Sequence, residues 1–182
     1  MAISGNTAII GAPRDDDLDN PRFATAYAYE FVSTDEEWLW SRIPSSQPVM
    51  PHPVNKFGSS VAFDGSTVII RAPEAQYANA AEDKFGTAYF FVKGTGGWQE
   101  QAKLQLSLED SFHLNVAISG NRAIVGASGG GDSVYVFVNN RAGEWQQQAK
   151  LTASDAADDD KFGYSVAISG DTAIIGAPIV SR

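Results

Sequence analysis

The chain has 182 residues, no cysteine, and 22 acidic against 13 basic residues, a formal net charge of −9. Four Trp, six Tyr and ten Phe are too many large apolar groups for a disordered chain, and the length suits one domain with a sizeable core. The charge repels phosphate backbones and anionic bilayers, so neither nucleic-acid binding nor membrane insertion is expected; the lack of Cys excludes disulfides and thiolate metal sites, and no apolar run reaches the roughly 18 residues of a membrane helix.

In chain order, the first elements are Ala2-Ile3-Ser4 and Thr7-Ala8-Ile9-Ile10, joined through Gly5-Asn6. Gly followed by a small polar residue signals a two-residue hairpin, because Gly takes the positive φ of a primed turn. A run of alternating aromatics follows, Ala28-Tyr29-Glu30-Phe31-Val32, and then a segment opening at Trp38. The same order returns as Ser60-Val61-Ala62-Phe63, the turn at Gly65, Thr67-Val68-Ile69-Ile70, Ala88-Tyr89-Phe90-Phe91-Val92 and Trp98. It returns again around Gly120, Val134-Tyr135-Val136-Phe137-Val138 and Trp145, and a fourth time from Val166 through Gly170. Three motifs recurring in one order make this a repeat protein, each repeat holding four strands, A to D. No helix is predicted, and residues 104–114 read as a connection between repeats.

The faces of these strands decide the architecture. Strand C of the second repeat sets Tyr89 and Phe91 on one face and Ala88, Phe90 and Val92 on the other, and strand B is a continuous apolar run. A strand with one wet face would alternate with polar residues. These sheets are therefore buried on both sides, which a lone sheet or a sandwich cannot achieve and sheets fanned around an axis can. The fold class is all-β: a β-propeller of four-stranded antiparallel blades. Small residues at Gly11-Ala12, Gly126-Ala127 and Gly176-Ala177 suit the crowded inner end of a blade.

The repeats resemble the FG-GAP family, the units of the integrin α-chain propeller. The FG pair is Phe57-Gly58 and Phe162-Gly163, with Phe112-His113 in the third slot; Phe85-Gly86, just before strand C, is a decoy. The GAP triplet is Gly11-Ala12-Pro13 and Gly176-Ala177-Pro178, with altered copies Arg71-Ala72-Pro73 and Gly126-Ala127-Ser128. The resemblance implies a ring of seven blades, of which the chain would hold about three and a half: approximately 1–43, 56–104, 111–151 and a half-blade at 161–182. A fragment of a longer chain is expected, completed by its remaining blades or, in the less favoured reading, by self-association. It also implies an extracellular or cell-surface location, with any signal peptide outside this chain. The integrin calcium site lies in an extended A–B loop; here each such loop is short and holds at most one carboxylate, so that site is not carried over.

Candidate sites are few. The acidic loop 14–20 offers Asp15, Asp17 and Asp19 as calcium ligands, since clustered carboxylates suit Ca²⁺; the plainer reading is a solvated turn. Asp155 with Asp158, Asp159 and Asp160 forms a second cluster, again read as a solvated linker. His52, in a Pro-His-Pro loop, and His113 are the two histidines. His113 could mark a site near the propeller axis, but a degenerate repeat explains it more simply. Trp98 and Trp145 read as packing residues at blade edges, whereas Glu30 and Trp40 fall out of pattern and suggest a blade face without a normal neighbour. No nucleophile elbow, phosphate loop or zinc motif occurs. The expected function is therefore non-catalytic binding of a protein or carbohydrate through the variable loops 14–24, 44–55, 74–86 and 128–133. The alternatives are a structural segment of a larger enzyme and a hydrolase with its site in the central channel.

Overall fold

The computed structural model describes residues 1–13, 24–33, 38–42, 50–52, 57–76, 84–105, 113–128, 132–140, 142–155 and 160–178. They contain strands and turns and no helix, hence none long and apolar enough to cross a membrane. Blade 1 is β1 (Ala2–Ser4), β2 (Thr7–Ala12), β3 (Ala24–Ser33) and β4 (Trp38–Arg42), with β5 (Met50–His52) added to β3. Blade 2 is β6 (Ser60–Asp64), β7 (Thr67–Gln76), β8 (Lys84–Gly94) and β9 (Gly97–Gln105). Blade 3 is β10 (His113–Ser119), β11 (Arg122–Ser128), β12 (Ser133–Asn139) and β13 (Trp145–Thr152). Blade 4 contributes β14 (Ser165–Ser169) and β15 (Thr172–Gly176). Every pairing is antiparallel between sequence neighbours, apart from β5 on β3.

The first strands of successive blades meet: β1 touches β6, β6 touches β10, and β10 touches β14. The sheets thus converge on their A strands. Blade 2 is covered on both faces, as its sequence requires. Tyr89 and Phe91 join Val68 and Ile70 in a core with Ile9, Ala26 and Ala28 of blade 1. Ala88, Phe90 and Ile69 face the other way, into a core with Val116, Ile118, Ala123, Val125, Tyr135 and Phe137 of blade 3. Burying each such large side chain stabilises by roughly 1.5–3 kcal/mol.

The A–B turns lock the fan at one end. Gly5, Gly65, Gly120 and Gly170 all have φ between 55° and 59°, as the first central position of a type II′ turn demands. The residue before each of the first three turn glycines accepts a hydrogen bond from the turn-glycine N–H of the next blade. Ser4 Oγ accepts from Gly65 at 3.0 Å, Asp64 Oδ2 from Gly120 at 2.6 Å, and Ser119 Oγ from Gly170 at 3.0 Å. Any short acceptor serves there. Asp64→Ala is expected to lower unfolding free energy by about 1 kcal/mol and Asp64→Ser to leave it nearly unchanged, as chemical denaturation would show.

The D strands explain the recurring Trp-Gln-x-Gln-Ala-Lys pattern. Trp145 is buried against Phe90 of the preceding blade, with ring centroids 4.3 Å apart, and its indole N–H donates to Gln101 at 3.2 Å. In blade 2 the register slips between Phe90 and Phe91, leaving Gln101 unmatched between Glu100 and Ala102. A β-bulge re-aims one side chain, and here the residue it frees reaches the next blade's tryptophan. The same slip recurs in blade 3 between Val136 and Phe137. β4 has no bulge, with Ser41 in the equivalent place. Trp98, which packs edge-on against Phe63 toward blade 1, has a buried indole N–H with no acceptor among the described residues. The motif's lysines lie over aromatic rings, Lys103 over Tyr89 at 5.8 Å and Lys150 over Tyr135 at 5.2 Å.

Two expectations are revised. Residues 50–52, read as loop, form β5, whose register pairs Ala24 with His52 and Ala26 with Met50. The cause is the length of β3: β4 pairs only with Tyr29–Ser33, leaving the first residues of β3 an open edge that β5 fills. Glu30, read as a sign of a missing neighbour, points to a neighbour that is present, since its carboxylate pairs with Lys93 Nζ of blade 2 at 3.0 Å. Both side chains are about two-fifths exposed, so the pair sets register more than it stabilises.

Candidate functional site

Chain direction sorts the connections between two edges of the fan. The A–B and C–D turns share one edge. At that edge Gly94 and Gly97 close a tight turn, and Asn140 Oδ1 accepts from the N–H groups of Ala142 and Glu144. The B–C connections and the links between blades attach at the opposite edge. The described strand ends that flank the variable stretches 14–24, 44–55, 74–86 and 128–133 all lie at that second edge. The ends of β2, β7 and β11 and the starts of β3, β8 and β12 hold this edge in place.

The FG and GAP glycines are what bring its rim together. A Cβ on Gly11 would lie 1.9 Å from the Gly58 carbonyl oxygen, and one on Gly126 would lie 2.1 Å from that of Gly163. The GAP glycine of one blade thus packs backbone to backbone on the FG glycine of the next. Gly58 and Gly163 adopt φ of 89° and 90°, and their N–H groups donate to Arg71 and Gly176 carbonyls at 2.9 and 3.1 Å. Only glycine combines this φ with that proximity.

The junction between blades 2 and 3 departs from the rule on both sides at once. Arg71 stands in the GAP glycine's place and His113 in the FG glycine's place. Without the positive-φ glycine, β10 stays extended and pairs two residues further than β6 does, through Leu114↔Ala127 and His113↔Ser128. Arg71 shares a face of β7 with Ile69, toward blade 3. Burial pushes its guanidinium down from the ordinary arginine range to about 10. A base whose folded pKa lies below its unfolded value destabilises the fold while protonated, and that penalty is relieved as pH rises through the folded value. Wild type is therefore expected to gain stability relative to Arg71→Met between about pH 8 and about pH 10.5, read as a shift in the difference between their urea midpoints.

The remaining predicted residues distribute as follows. Asp15, Asp17 and Asp19 lie outside the described residues, as do Asp158 and Asp159. Asp160 is buried and Asp155 exposed. Asp132, at φ 36°, accepts from the Lys161 N–H at 2.9 Å, which ties the B–C connection of blade 3 to the approach to blade 4. Sequence reading missed this contact, because an Asp after three glycines looks like ordinary turn composition. His52 and His113 both fall at the loop-bearing edge, at the end of β5 and the start of β10 respectively. Among the described residues no three His, Cys, Asp or Glu are grouped so as to hold a metal ion.

Comparison with known families finds an FG-GAP repeat at residues 145–182. The matched stretch runs from Trp145 through the Phe162-Gly163 turn to the Gly176-Ala177-Pro178 triplet, so it joins the outer strand of blade 3 to the inner hairpin of blade 4. No curated protein matches the chain.

Proposed function

We propose that this chain, which carries an FG-GAP repeat, is a non-catalytic recognition module, working outside the cell or on its surface, whose loop-bearing edge binds a protein or carbohydrate partner. One observation carries the reading: the scaffold is nearly constant from blade to blade while every long, divergent connection attaches to the same edge. A rigid frame with variable loops gathered at one end is how recognition surfaces are built. The acidic character of 14–20 and 155–160 favours a partner with basic or cation-bridged groups, and Asp15, Asp17 and Asp19 are the proposed ligands should calcium take part.

The test replaces residues 14–23 and 77–83, between the strands, together by Gly-Ser linkers of equal length and compares the variant with wild type on glycan arrays and against surface-protein libraries, with and without Ca²⁺. Loss of a wild-type interaction with the fold retained is the expected result. Binding that survives the replacement unchanged would overturn the proposal.

A further inference from the structure

The A–B turn of blade 2 differs from its counterparts in one chemical respect. Ser4, Ser119 and Ser169 precede the other turn glycines, whereas Asp64 precedes Gly65, and this is the one Asp-Gly step in a chain that has no Asn-Gly step. An Asp-Gly step is open to internal condensation, because glycine has no side chain to shield its nitrogen and its backbone turns freely. The Gly65 nitrogen attacks Cγ of the Asp64 carboxyl group. The nitrogen gives up its proton, the carboxyl gives up one oxygen, these leave as water, and a five-membered imide closes. Water then opens the ring at either carbonyl. Opening at Cγ restores aspartate, and opening at the backbone carbon leaves isoaspartate, with the chain running through the former side chain. Nothing is oxidised or reduced, and only water is exchanged.

Both reacting groups are occupied in the folded chain, and by opposite neighbours. The Gly65 N–H donates to Ser4 Oγ of blade 1 at 3.0 Å, while Asp64 Oδ2 accepts the Gly120 N–H of blade 3 at 2.6 Å. The hairpin register, which pairs Asp64 with Thr67, and the Gly65 φ of 59° fix the backbone between them. Gly65 is exposed and Asp64 half-buried, so water stands ready once a bond opens. We infer that Asp64-Gly65 is a latent isoaspartate site, kept unreactive by the two bonds that tie blade 2 to blades 1 and 3 and released when either junction opens. Isoaspartate puts an extra carbon into the backbone of a two-residue turn and sets the carboxylate directly on the chain, so the arm that reached Gly120 loses its methylene. A lasting opening of the junction is thereby made permanent. The inference does not depend on the loops binding anything.

Isoaspartate formation in the full chain, held for weeks at neutral pH and body temperature, tests it. Isoaspartyl methyltransferase with a labelled methyl donor counts the product, and trypsin releases residues 57–71, in which Asp64 is the only Asp or Asn. The synthetic peptide 57–71 is the unrestrained reference. Folded wild type is expected to react about ten-fold more slowly than the peptide, or slower still, since the reaction waits on local opening. Ser4→Ala should raise the folded rate about five-fold, the loss of one hydrogen bond. Ser119→Ala removes the same kind of bond one junction further on, touches neither reacting group, and should leave the rate unchanged. If Ser4→Ala does not fold by circular dichroism, wild type in graded urea below its unfolding transition takes its place, and isoaspartate should rise in step with hydrogen exchange of the Gly65 amide. Wild type that reacts as fast as the peptide overturns the inference. So do Ser4→Ala and Ser119→Ala rates that match each other, or urea rates that do not follow the Gly65 amide.

Discussion

Gly126→Ala is expected to cost about 3 kcal/mol or more of unfolding free energy, far beyond the ordinary penalty for filling space at a surface. The added methyl would sit 2.1 Å from the Gly163 carbonyl oxygen and 3.0 Å from Val166 Cγ1. The first of these is backbone, held by the Gly163 N–H bond to Gly176, so it cannot swing aside as a side chain would. Blades 3 and 4 must separate or the FG turn must break. Gly120→Ala provides the contrast. Gly120 has a positive φ, 56°, which Gly126 does not, and a Cβ there meets nothing within 4 Å, so only the conformational cost of roughly 1–2 kcal/mol applies. Urea unfolding of the two variants separates the effects. Equal losses would mean that the close approach of the next blade at Gly126 costs no more than backbone strain at an open turn.

That contrast marks where the sequence was legible. The alternation of Tyr89 and Phe90 revealed two buried faces, because side chains on a strand take opposite sides with period two and both sides were apolar. The turn glycines were legible because a two-residue hairpin needs positive φ at a fixed place. What could not be read were relations between residues some 45 to 60 positions apart. Arg71 and His113 each look like a lapse from a motif, yet they stand at the two motif positions of one junction, where a pair of glycines stands at the other two. Ser4, Asp64 and Ser119 look like turn formers, and their acceptor role appears only when the next blade's N–H arrives. Gln101 differs from Gln99 only through a bulge, which leaves no composition signal. At the loop-bearing edge, Asp and Gly are as common in idle turns as in binding sites, so composition alone could not separate a cation site from solvent-facing chain.

The two-faced packing of β8 yields the sharpest test of the architecture. Tyr89 and Phe90 are adjacent, both 0% exposed, and commit to different neighbours. Tyr89 meets Phe57 edge-on at 5.5 Å in the core shared with blade 1, while Phe90 lies against Trp145 of blade 3. Truncating either to Ala removes a large buried ring and should cost about 3–5 kcal/mol, a large part of the stability of a domain of this size. The two losses should fall in different places. With Phe90→Ala, amide hydrogen exchange is expected to accelerate first in β11 to β13, and the Trp145 indole resonance to shift. With Tyr89→Ala, exchange should accelerate first in β2 and β3, leaving Trp145 nearly unmoved. Local opening tracks the contacts that hold each unit, so neighbouring residues of one strand loosening opposite blades is a signature that a sheet with a single buried face cannot produce. Indistinguishable exchange patterns in the two variants would rule out blades packed on both sides.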